Sequence, residues 1–497
     1  MLIKDIVLRQ RGNNKTAIIF GNETISYDQL LDQASILANR LKPLTTFSNH
    51  IAIFLPNSIQ YAVSYFAITL CDKVIIPIST LAKKAEIEST LIYCQAELII
   101  TNFSNLNILK EMLSGMEQAT RIVIVDSDEI ILINDKKMLQ YNNDDLKYDD
   151  ESDQIAIMLH TSGTTSNPKR VMLSHRNLIS NINSNIESLQ LNSDDISLVQ
   201  LPMFFGYCNT AQFLTHLCLG GTIVILHTMF SPKQFLQLVE KEQITNFTTV
   251  PSVLFLLLQH KEKQRFDISS LRYICFGGGI MPVDKLRKLI DEFPSIGFVH
   301  TYGQTEAAPR VTCLLPEDAL RKIGSVGKAL PNVSVKIVNH NGEEVAAEVI
   351  GEIIVKGENV MKGYYKQIGE TSKVLQDGWL YTGDLAKYDQ DQYIYLVGRK
   401  KNVIISGGMN IYPEEIEEVL LQYPLIKEAI VIKESHELLG EVPIAKIVIH
   451  GDKKDIKNIQ HDINKYCHMN LTRFKVPARI IIVENLNKTK TGKIKRF

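Results

Sequence analysis

The stretch that most constrains the fold of this chain runs from Ile155 to Val171 and reads IAIMLHTSGTTSNPKRV. Its first residues, Ile155–Leu159, are all apolar, which is the pattern of a short strand buried on both faces of a sheet. Small and hydroxylic residues follow, then Pro168; Lys169 supplies a positive charge and Arg170 adds a second. Hydroxyls, free backbone N–H groups and cations after a buried strand suit the binding of a polyphosphate.

Two other interpretations of this loop have to be weighed. A cluster of Ser, Thr and Gly is most often a plain surface turn. A kinase-type P-loop needs G-x-x-x-x-G-K-[ST], but no second glycine lies between Gly163 and Lys169, and Arg170 stands where Ser or Thr should be. The loop instead resembles the phosphate-binding loop of the adenylate-forming superfamily, which includes acyl-CoA and aryl-CoA synthetases, luciferases and peptide synthetase adenylation domains. That resemblance assigns ATP binding to Thr161, Ser162, Gly163, Thr164, Thr165 and Lys169.

Length and composition are those of an ordinary globular protein. A chain of 497 residues is too long for one core and predicts several domains or subdomains. The net charge of −1 creates no overall field that would recruit nucleic acid or an anionic membrane. Seven scattered cysteines without a C-x-x-C pair predict reduced thiols and a cytoplasmic location. No apolar run reaches the ~18 residues of a membrane span, so we expect a soluble protein.

The N-terminal part alternates strand and helix patterns. Ile51–Leu55 and Val74–Ile78 are buried-strand runs, and Ile59–Leu70 between them has helical spacing, which predicts a βαβ unit. Leu98–Thr101 and Ile122–Val125 continue the alternation. The pattern favours a doubly wound α/β fold but would match any protein of that class. The adenylate-forming superfamily has the same N-terminal arrangement.

Aromatic residues precede a predicted helix within Leu201–Leu226. Aromatic side chains in such a position most often pack in a core. The resemblance instead places the acyl pocket at Phe204, Phe205, Tyr207 and Ile280. Many acyl-CoA synthetases have a histidine where Phe205 stands. Amino-acid adenylation domains commonly carry an aspartate at the position of Gly206, and because glycine cannot pair with an ammonium group, an α-amino acid substrate is disfavoured.

A glycine-rich turn follows the predicted strand Leu271–Phe276. It could be only a tight turn between a strand and a helix. Glycines also let the backbone approach a flat ligand closely, and in the resembling family adenine lies against this turn. The residues concerned are Gly277, Gly278 and Gly279.

Another predicted strand, Phe298–Glu306, ends in the sequence Y-G-Q-T-E. The five-residue motif alone has modest specificity, but its position after the first loop matches the family. Tyr302 offers a ring for purine stacking, with Gly303 beside it in the nucleotide site. The hydroxyl of Thr305 suits a phosphate, and Glu306 offers the hard oxygen ligand that Mg²⁺ prefers.

Short alternating strands within Gly324–Gly363 predict a small barrel-like β region. The sequence W-L-Y-T-G-D then ends at Asp384. An aspartate in a turn is usually structural, but the resemblance assigns the two ribose hydroxyls to Asp384. It assigns a further ribose and phosphate contact to Arg399.

The chain changes character in Val403–Glu417. A strand, a double glycine and a helix with Pro413 at its start are followed by three β runs, which predicts a small α+β domain. We therefore predict a large domain at 1–400 and a small mobile domain at 401–497. The resemblance places the hinge at Lys401 and a thiol tunnel at Ser406, Gly407 and Gly408.

The basic end of the chain, NKTKTGKIKRF, would by itself be a frayed, solvated terminus. The resemblance instead makes Lys493, in T-x-T-G-K, the catalytic lysine. Four residues depart from the family pattern, and their effect on turnover stays open. They are Ser166 and Arg170, where glycine is usual, Phe205, and Asn487, where proline is common.

The resemblance implies ATP-dependent activation of a carboxylic acid to an acyl-AMP, with release of pyrophosphate, and transfer to the thiol of CoA. Lys169 would hold the leaving pyrophosphate, Glu306 would bind Mg²⁺, and Lys493 would contact the carboxylate and α-phosphate. The phosphopantetheine arm of an acyl or peptidyl carrier protein is an alternative acceptor. A degenerate nucleotide-binding regulator is less consistent with the motifs retained. The acid itself and the oligomeric state stay open.

Overall fold

The computed structural model describes residues 1–45, 48–96, 98–114, 120–127, 129–133, 150–160, 169–227, 230–261, 265–450, 456–488 and 494–496. The helices are α1 (Asp5–Leu8), α2 (Tyr27–Leu41), α3 (Ile59–Leu70), α4 (Lys84–Tyr93), α5 (Phe103–Leu113), α6 (His175–Leu189), α7 (Gly206–Cys208), α8 (Thr215–Leu219), α9 (Pro232–Glu242), α10 (Pro251–Gln259), α11 (Val283–Glu292), α12 (Ile368–Val374), α13 (Pro413–Gln422) and α14 (Ile456–Asn470).

The strands of the described residues form four sheets. They are β1 (Thr16–Phe20), β2 (Glu23–Ser26), β3 (His50–Ile53), β4 (Val74–Pro77), β5 (Leu98–Thr101), β6 (Thr120–Ile124), β7 (Ile130–Ile133), β8 (Ile155–His160), β9 (Arg170–Ser174), β10 (Ile196–Val199), β11 (Thr222–Ile225), β12 (Asn246–Thr249), β13 (Tyr273–Gly277), β14 (Gly297–Gly303), β15 (Arg310–Leu314), β16 (Lys328–Ala329), β17 (Val333–Val338), β18 (Gly351–Gly357), β19 (Gly363–Tyr364), β20 (Leu375–Gln376), β21 (Trp379–Tyr388), β22 (Ile394–Arg399), β23 (Ile404–Ser406), β24 (Met409–Ile411), β25 (Ile426–His436), β26 (Gly440–Ile449) and β27 (Arg479–Ile482).

The first sheet has eight strands in the order β19-β9-β8-β4-β3-β5-β6-β7. Strands β3 and β4 pair in parallel and are connected by α3, so the predicted βαβ unit is confirmed. The predicted strand at Ile155–Leu159 is β8, and these residues are buried as their apolar pattern indicates. Strand β9 returns antiparallel to β8, so the loop between them lies at one end of this sheet.

The second sheet has nine strands in the order β16-β15-β14-β13-β12-β10-β11-β1-β2. Strands β10 to β14 pair in parallel, whereas β15 runs antiparallel to β14. Parallel neighbours bring their carboxyl ends to one edge of the sheet. The glycine turn after β13 and the Y-G-Q-T-E motif after β14 are therefore adjacent.

Helix α3 and the helical segment Asn209–Leu214 belong to the main hydrophobic core. The rings of Tyr61, Tyr65, Phe66 and Phe213 pack against one another there in T-shaped and tilted pairs, with ring centroids 5.3–6.3 Å apart. Because these rings are buried, helix α3 is apolar on every side, although it has only 12 residues. Among the described residues no helix is long and apolar enough to cross a membrane.

The β-rich region forms the third sheet, antiparallel and five-stranded, in which β21 pairs with β18, β20 and β22 along different parts of its length. Strand β19, which follows β18 in the chain, leaves this region and joins the eight-stranded sheet by pairing with β9. The third sheet is thereby fixed against the first.

The small C-terminal domain is built on the fourth sheet, in the order β24-β23-β26-β25 with β27 paired to β26. Helices α13 and α14 pack on this sheet around a core of its own. Helix α13 begins at Pro413, as predicted from the proline at the first helical position. The exact division at 400/401 stays a prediction.

Candidate active site

The residues suited to bind a nucleotide come together from β14, β21 and β22. Asp384 of β21 lies opposite Arg399 of β22 in the antiparallel register. The Nε of Arg399 is 2.7 Å from Oδ1 of Asp384, and the Tyr302 hydroxyl donates to Oδ2 at 2.8 Å. Tyr302 and Arg399 therefore share the carboxylate of Asp384, although Tyr302 lies 82 positions before Asp384 in the chain.

The surroundings of Tyr302 and Arg399 fix the protonation states of these two side chains. Asp384 is 6% exposed, and its backbone N–H donates to the hydroxyl of Thr382. Burial raises the pKa of Tyr302, so its hydroxyl is a donor at neutral pH, and Asp384 raises the pKa of Arg399. Each carboxylate oxygen has two lone pairs, so Asp384 retains acceptor capacity for hydroxyl groups of a ligand.

A second group of side chains surrounds Tyr364 of β19, with Glu306 at its hydroxyl and Lys169 over its ring. The Tyr364 hydroxyl donates to Oε1 of Glu306 at 2.9 Å, and the ammonium of Lys169 lies 4.6 Å from the ring centroid. Lys169 also forms an ion pair of 2.7 Å with Glu370 of α12. Burial, and then the charge of Glu306, raises the pKa of Tyr364. Sequence reasoning missed Tyr364 and Glu370 because neither belongs to a recognised motif.

The residues around Glu306 fit a magnesium ion that arrives with a nucleotide. Within the described ranges no group of three His, Cys, Asp or Glu could hold a metal by itself. Mg²⁺ is commonly bound by one or two carboxylates together with substrate phosphates and water. Glu306 supplies one such carboxylate, and only its Oε1 is engaged in a hydrogen bond with a described residue.

Arg170 is a correction to the sequence analysis, which counted it as a second cation of the phosphate loop. Its side chain is buried and donates to the Thr90 hydroxyl of α4 at 2.5 Å. Successive side chains of a strand point to opposite faces of the sheet. Arg170 is the first residue of β9 and faces α4, whereas Lys169 faces Tyr364 and Glu370.

The glycine turn after β13 is closely packed at its first residue. A Cβ on Gly277 would lie 2.4 Å from the carbonyl oxygen of Thr301, so no other residue fits without a shift. Gly278 has a φ of +75°, a conformation that side chains disfavour. A Cβ on Gly279 would make only an ordinary contact with Pro251. Gly303 is equally constrained, since its Cβ would lie 2.0 Å from the carbonyl oxygen of Pro309.

The predicted acyl-pocket residues surround the start of α7. A Cβ on Gly206 would lie 3.1 Å from Leu159 and 3.8 Å from Thr305, so a larger side chain would fill the space beside Thr305. The Tyr207 hydroxyl is hydrogen-bonded to the hydroxyl of Thr301 at 2.7 Å. The remaining predicted residues are accessible, with Phe204 and Phe205 partly buried and Ile280 38% exposed.

Arg310 is a pocket neighbour that sequence reasoning missed. Its guanidinium carbon lies 5.8 Å from the centroid of the Tyr207 ring, and the side chain is 1% exposed. The signal available in the sequence was a lone charged residue at the start of an apolar run, R-V-T-C-L-L. A charged residue almost never becomes fully buried without a partner.

Several predicted residues lie outside the described part of the chain. These are Thr161, Ser162, Gly163, Thr164, Thr165, Ser166 and Lys493. Their assignments stay predictions.

The residues that the resemblance assigns to a hinge and a thiol tunnel lie at the start of the small domain, and these roles stay predictions. Burial and the charge of Arg399 lower the pKa of Lys401, which is exposed. Ser406 and Gly407 open the turn between β23 and β24, and the Gly407 N–H donates to the carbonyl of Leu439. Gly408 has a φ of +81° in the same turn.

Arg496, near the end of the chain, is held by two glutamates of α13. The guanidinium contacts Glu417 at 2.6 and 2.9 Å and Glu414 at 2.7 Å, both on α13. Burial raises the pKa of Glu417 to about 7, against the opposing charge of Arg496. The backbone around this end is also paired, because Lys495 donates to the carbonyl of Asn487 at 2.7 Å.

A separate surface cavity of about 290 Å³ lies between β1, β11 and α9. It is lined by Ile19, His227 and Lys241 among others, and it contains none of the predicted site residues. The chemistry-bearing groups are concentrated instead at the sheet edge described above.

The sheets, the nucleotide-suited residues at their shared edge and the small second domain define a two-domain nucleotide-binding α/β protein. The model of the AMP-binding enzyme family matches residues 6–365, and that of the AMP-binding enzyme C-terminal domain matches residues 415–493. The chain therefore belongs to the AMP-binding enzyme family. This confirms the resemblance to the adenylate-forming superfamily.

Relatives cover almost the entire chain. A feruloyl-CoA synthase of Amycolatopsis sp is 32% identical over 480 residues, which span 96% of this chain and 94% of that protein. An indoleacetate–CoA ligase of Aromatoleum aromaticum is 31% identical over 486 residues, which span 97% and 94%.

The fold matches solved structures of the family. The o-succinylbenzoate CoA synthetase of Bacillus subtilis, in complex with its acyl-adenylate intermediate, aligns with a TM-score of 0.86 and 27% identity over 99% of this chain and 96% of that chain. The same enzyme has been solved with ATP and magnesium, with a TM-score of 0.85 and 26% identity over 99% and 98%.

Proposed function

We propose that this protein is a carboxylic acid–CoA ligase that proceeds through an acyl-adenylate. The observation that carries the proposal is the carboxylate of Asp384, held by Tyr302 and Arg399, together with Glu306 and Lys169 on either side of Tyr364. One group suits a nucleoside and the other suits a magnesium-bound polyphosphate. ATP and Mg²⁺ are accordingly the proposed co-substrates.

In the first half-reaction an oxygen of the acid attacks the α-phosphorus of ATP. A new phosphorus–oxygen bond forms, the bond to the bridging oxygen breaks, and pyrophosphate leaves with magnesium. Two anions meet in this step, so pre-positioned cations lower its barrier. Lys169 and Glu306 would serve the leaving pyrophosphate and its metal, and Thr305 a phosphate oxygen. Lys493 would contact the carboxylate and the α-phosphate.

In the second half-reaction the thiol sulfur of CoA attacks the carbonyl carbon of the acyl-AMP. A carbon–sulfur bond forms, AMP leaves with the electron pair of the broken anhydride bond, and the thiol proton passes to solvent. We propose that the small domain rotates about Lys401 between the two half-reactions. Lys493 would thereby leave the site, and the turn at Ser406, Gly407 and Gly408 would line the path of the thiol.

Two thiol acceptors are compatible with the proposed acyl-adenylate. The CoA ligases among the relatives support CoA. A carrier-protein phosphopantetheine arm presents the same thiol and is the second candidate. The absence of a carboxylate at Gly206 argues against an α-amino acid as the acyl donor, because a glycine cannot pair with an ammonium group.

The test is acid-dependent exchange of labelled pyrophosphate into ATP, across aryl, short, medium and long acids. Thioester formation is then measured with CoA and, separately, with carrier proteins bearing phosphopantetheine. We expect exchange with at least one acid and a thioester with CoA, and loss of exchange in Lys493→Ala. Exchange with no acid would refute the adenylation, and thioester formation on a carrier protein alone would identify the second candidate.

A further inference from the structure

Arg310 opens β15, the second strand from one edge of the nine-stranded sheet, and follows the Y-G-Q-T-E motif by four residues. It heads the largest fully buried side chains of the described residues. Its Nε, Nη1 and Nη2 are all buried, and none makes a well-aligned hydrogen bond with a described residue, although the hydroxyl of Tyr207 and the thiol of Cys275 lie close enough to interact with the guanidinium. A buried charge left without a partner is strongly destabilising, so a guanidinium in this state calls for an explanation.

The neighbours of Arg310 supply no negative charge. The groups that act most strongly on its charge are the thiols of Cys275 and Cys313 and the hydroxyl of Tyr207. Burial raises the pKa of all three, that of Cys313 to about 11, so they are neutral at neutral pH. No described carboxylate pairs with Arg310, and residues 161–168, T-S-G-T-T-S-N-P, contain no acidic side chain.

Other buried polar atoms near Arg310 are also without partners in the described residues. Asn181 donates to the backbone carbonyl of Arg310 at 2.7 Å, and Asn185 donates to Asn181 at 3.3 Å. The side-chain oxygen of Asn185 then has no donor, and neither has Nε2 of His216 a partner, although Arg310 acts on the charge of His216. The surroundings are therefore polar and unsaturated rather than an apolar core.

The position of Arg310 relates it to the acyl end of the proposed site. Gly206 lies beside Thr305, and the next residue, Tyr207, packs its ring over the guanidinium. Tyr207 is only partly buried, and its hydroxyl is held by a bond to Thr301. Arg310 therefore packs against Tyr207, whose chain neighbour Gly206 lies beside Thr305.

We propose that Arg310 binds a second carboxylate at the far end of the acyl substrate, so that the preferred acid is a dicarboxylic acid. The inference rests on the proposed function and names its substrate class. A guanidinium and a carboxylate form two parallel hydrogen bonds, which satisfies both the charge and the donors of the arginine. The rival explanation is that the guanidinium only supports packing of Tyr207 or is satisfied by buried water.

The first test compares acids that differ only in the far group: hexanoate with adipate, octanoate with suberate, and 4-methylbenzoate with terephthalate. We expect kcat/KM for pyrophosphate exchange to favour at least one diacid over its partner by about 30-fold or more. Arg310→Gln should remove this preference, so that its kcat/KM values for the diacid and for the matched monoacid become equal. Arg310→Lys, which keeps the charge but not the fork, should retain part of the preference.

A second readout measures binding without chemistry. The diacid should raise the midpoint of thermal unfolding of the wild-type protein but not of Arg310→Gln, and the exposed Arg321→Gln should behave as wild type. If Arg310→Gln does not fold, the wild-type protein and Arg310→Lys carry the comparison. Equal rates with monoacids and diacids, or equal losses for both in the variants, would overturn the inference.

The two proposals fail in different ways. If acids are activated but diacids have no advantage, the proposed function stands and the Arg310 subsite is refuted. If no acid supports exchange while diacids stabilise the wild-type protein through Arg310, the subsite stands and the adenylation is refuted.

Discussion

The ammonium of Lys169 lies 2.7 Å from the carboxylate of Glu370, although the two residues are 201 positions apart in the chain. The pair occupies the place where the proposed polyphosphate would bind. Lys373 contacts the same carboxylate, and the hydrogen bonds from both lysines lower the pKa of Glu370 to about 2. Glu370 is thus ionised at neutral pH, and it would compete with the proposed polyphosphate for Lys169.

Removal of the Glu370 charge is expected to strengthen ATP binding. Glu370→Gln should lower the KM for ATP by up to about fivefold, because ion pairs of such exposure contribute about 0.2–1 kcal/mol. The measurement is the KM for ATP in pyrophosphate release. Glu348→Gln breaks a similarly exposed pair with Lys387 away from the site and serves as the control. An unchanged or higher KM in Glu370→Gln would contradict the assigned competition.

The Asp384 carboxylate is expected to carry nucleotide affinity. Asp384→Asn keeps the shape but removes the charge that Arg399 and Tyr302 share. Since breaking a buried hydrogen-bonded charge pair costs about 2–5 kcal/mol, the affinity for AMP should fall by about 30-fold or more. Calorimetric titration with AMP measures this affinity. The control is Asp389→Asn, which removes the charge of a carboxylate paired with Lys322. Wild-type affinity in Asp384→Asn would remove this residue from the site.

The hinge at Lys401 predicts a split between the two half-reactions. Lys401→Pro restricts the backbone dihedral on which a rotation would depend. We expect pyrophosphate exchange to stay within about threefold of wild type, while thioester formation slows by about tenfold or more, as hinge variants alter steps that depend on domain motion. Single-turnover measurements on preformed acyl-AMP separate the steps. Equal loss in both half-reactions is the result that excludes the hinge.

Arg496 is expected to position the loop that carries Lys493. Arg496→Gln leaves Glu417 buried without its guanidinium, so adenylation should fall at least tenfold on the scale of a lost buried charge partner. Thioester formation from supplied acyl-AMP, which does not use Lys493, should stay near wild type. Arg479→Gln, in an exposed pair with Glu434, is the matched control. Equal impairment of both half-reactions would indicate a purely structural role.

Stability is expected to fall as the pH drops from 6.5 to 4. Burial, and then the charge of Lys4, lowers the pKa of His175 to about 4, and its Nδ1 accepts the backbone N–H of Ile3. Between these pH values the unfolded chain binds a proton that the folded protein does not, so acid favours unfolding. Burial also lowers the pKa values of His50 and His300 to about 4.

The check is the midpoint of urea unfolding at several pH values. His175→Gln should make the loss of stability toward acid shallower, because one of the imidazoles with a lowered pKa is removed. His340→Gln, at an exposed turn, should keep the wild-type slope. The same slope in His175→Gln as in wild type would show that His175 does not contribute.

Local patterns in the sequence predicted the elements well, because each depends on neighbouring residues. The unit from β3 to β4 and the start of α13 at Pro413 are found where the apolar spacing and the proline indicate. Ser174 caps α6 by accepting the N–H of Asn177, which is the role that a serine before an apolar helical pattern favours. These features need no knowledge of distant contacts.

The contacts between side chains could not be predicted in the same way. Which face Arg170 occupies depends on the register of β9 with β8, and this register turns it toward Thr90. The partnership of Lys169 with Glu370 depends on where α12 packs after three sheets have formed. Whether Arg310 finds a hydrogen-bond partner depends on all the elements packed around it, and no local sequence pattern encodes that arrangement.

Strand β19 has only two residues, Gly363 and Tyr364, yet it completes both a sheet and a site. It forms the outer edge of the eight-stranded sheet by pairing with β9, and Tyr364 then contacts Glu306 and lies beside Lys169. A fragment ending before Gly363 would leave the edge of β9 open to aggregation and lack this tyrosine. Nucleotide affinity should therefore report whether the large domain has folded to completion, which makes it a practical assay for fragment complementation and for refolding.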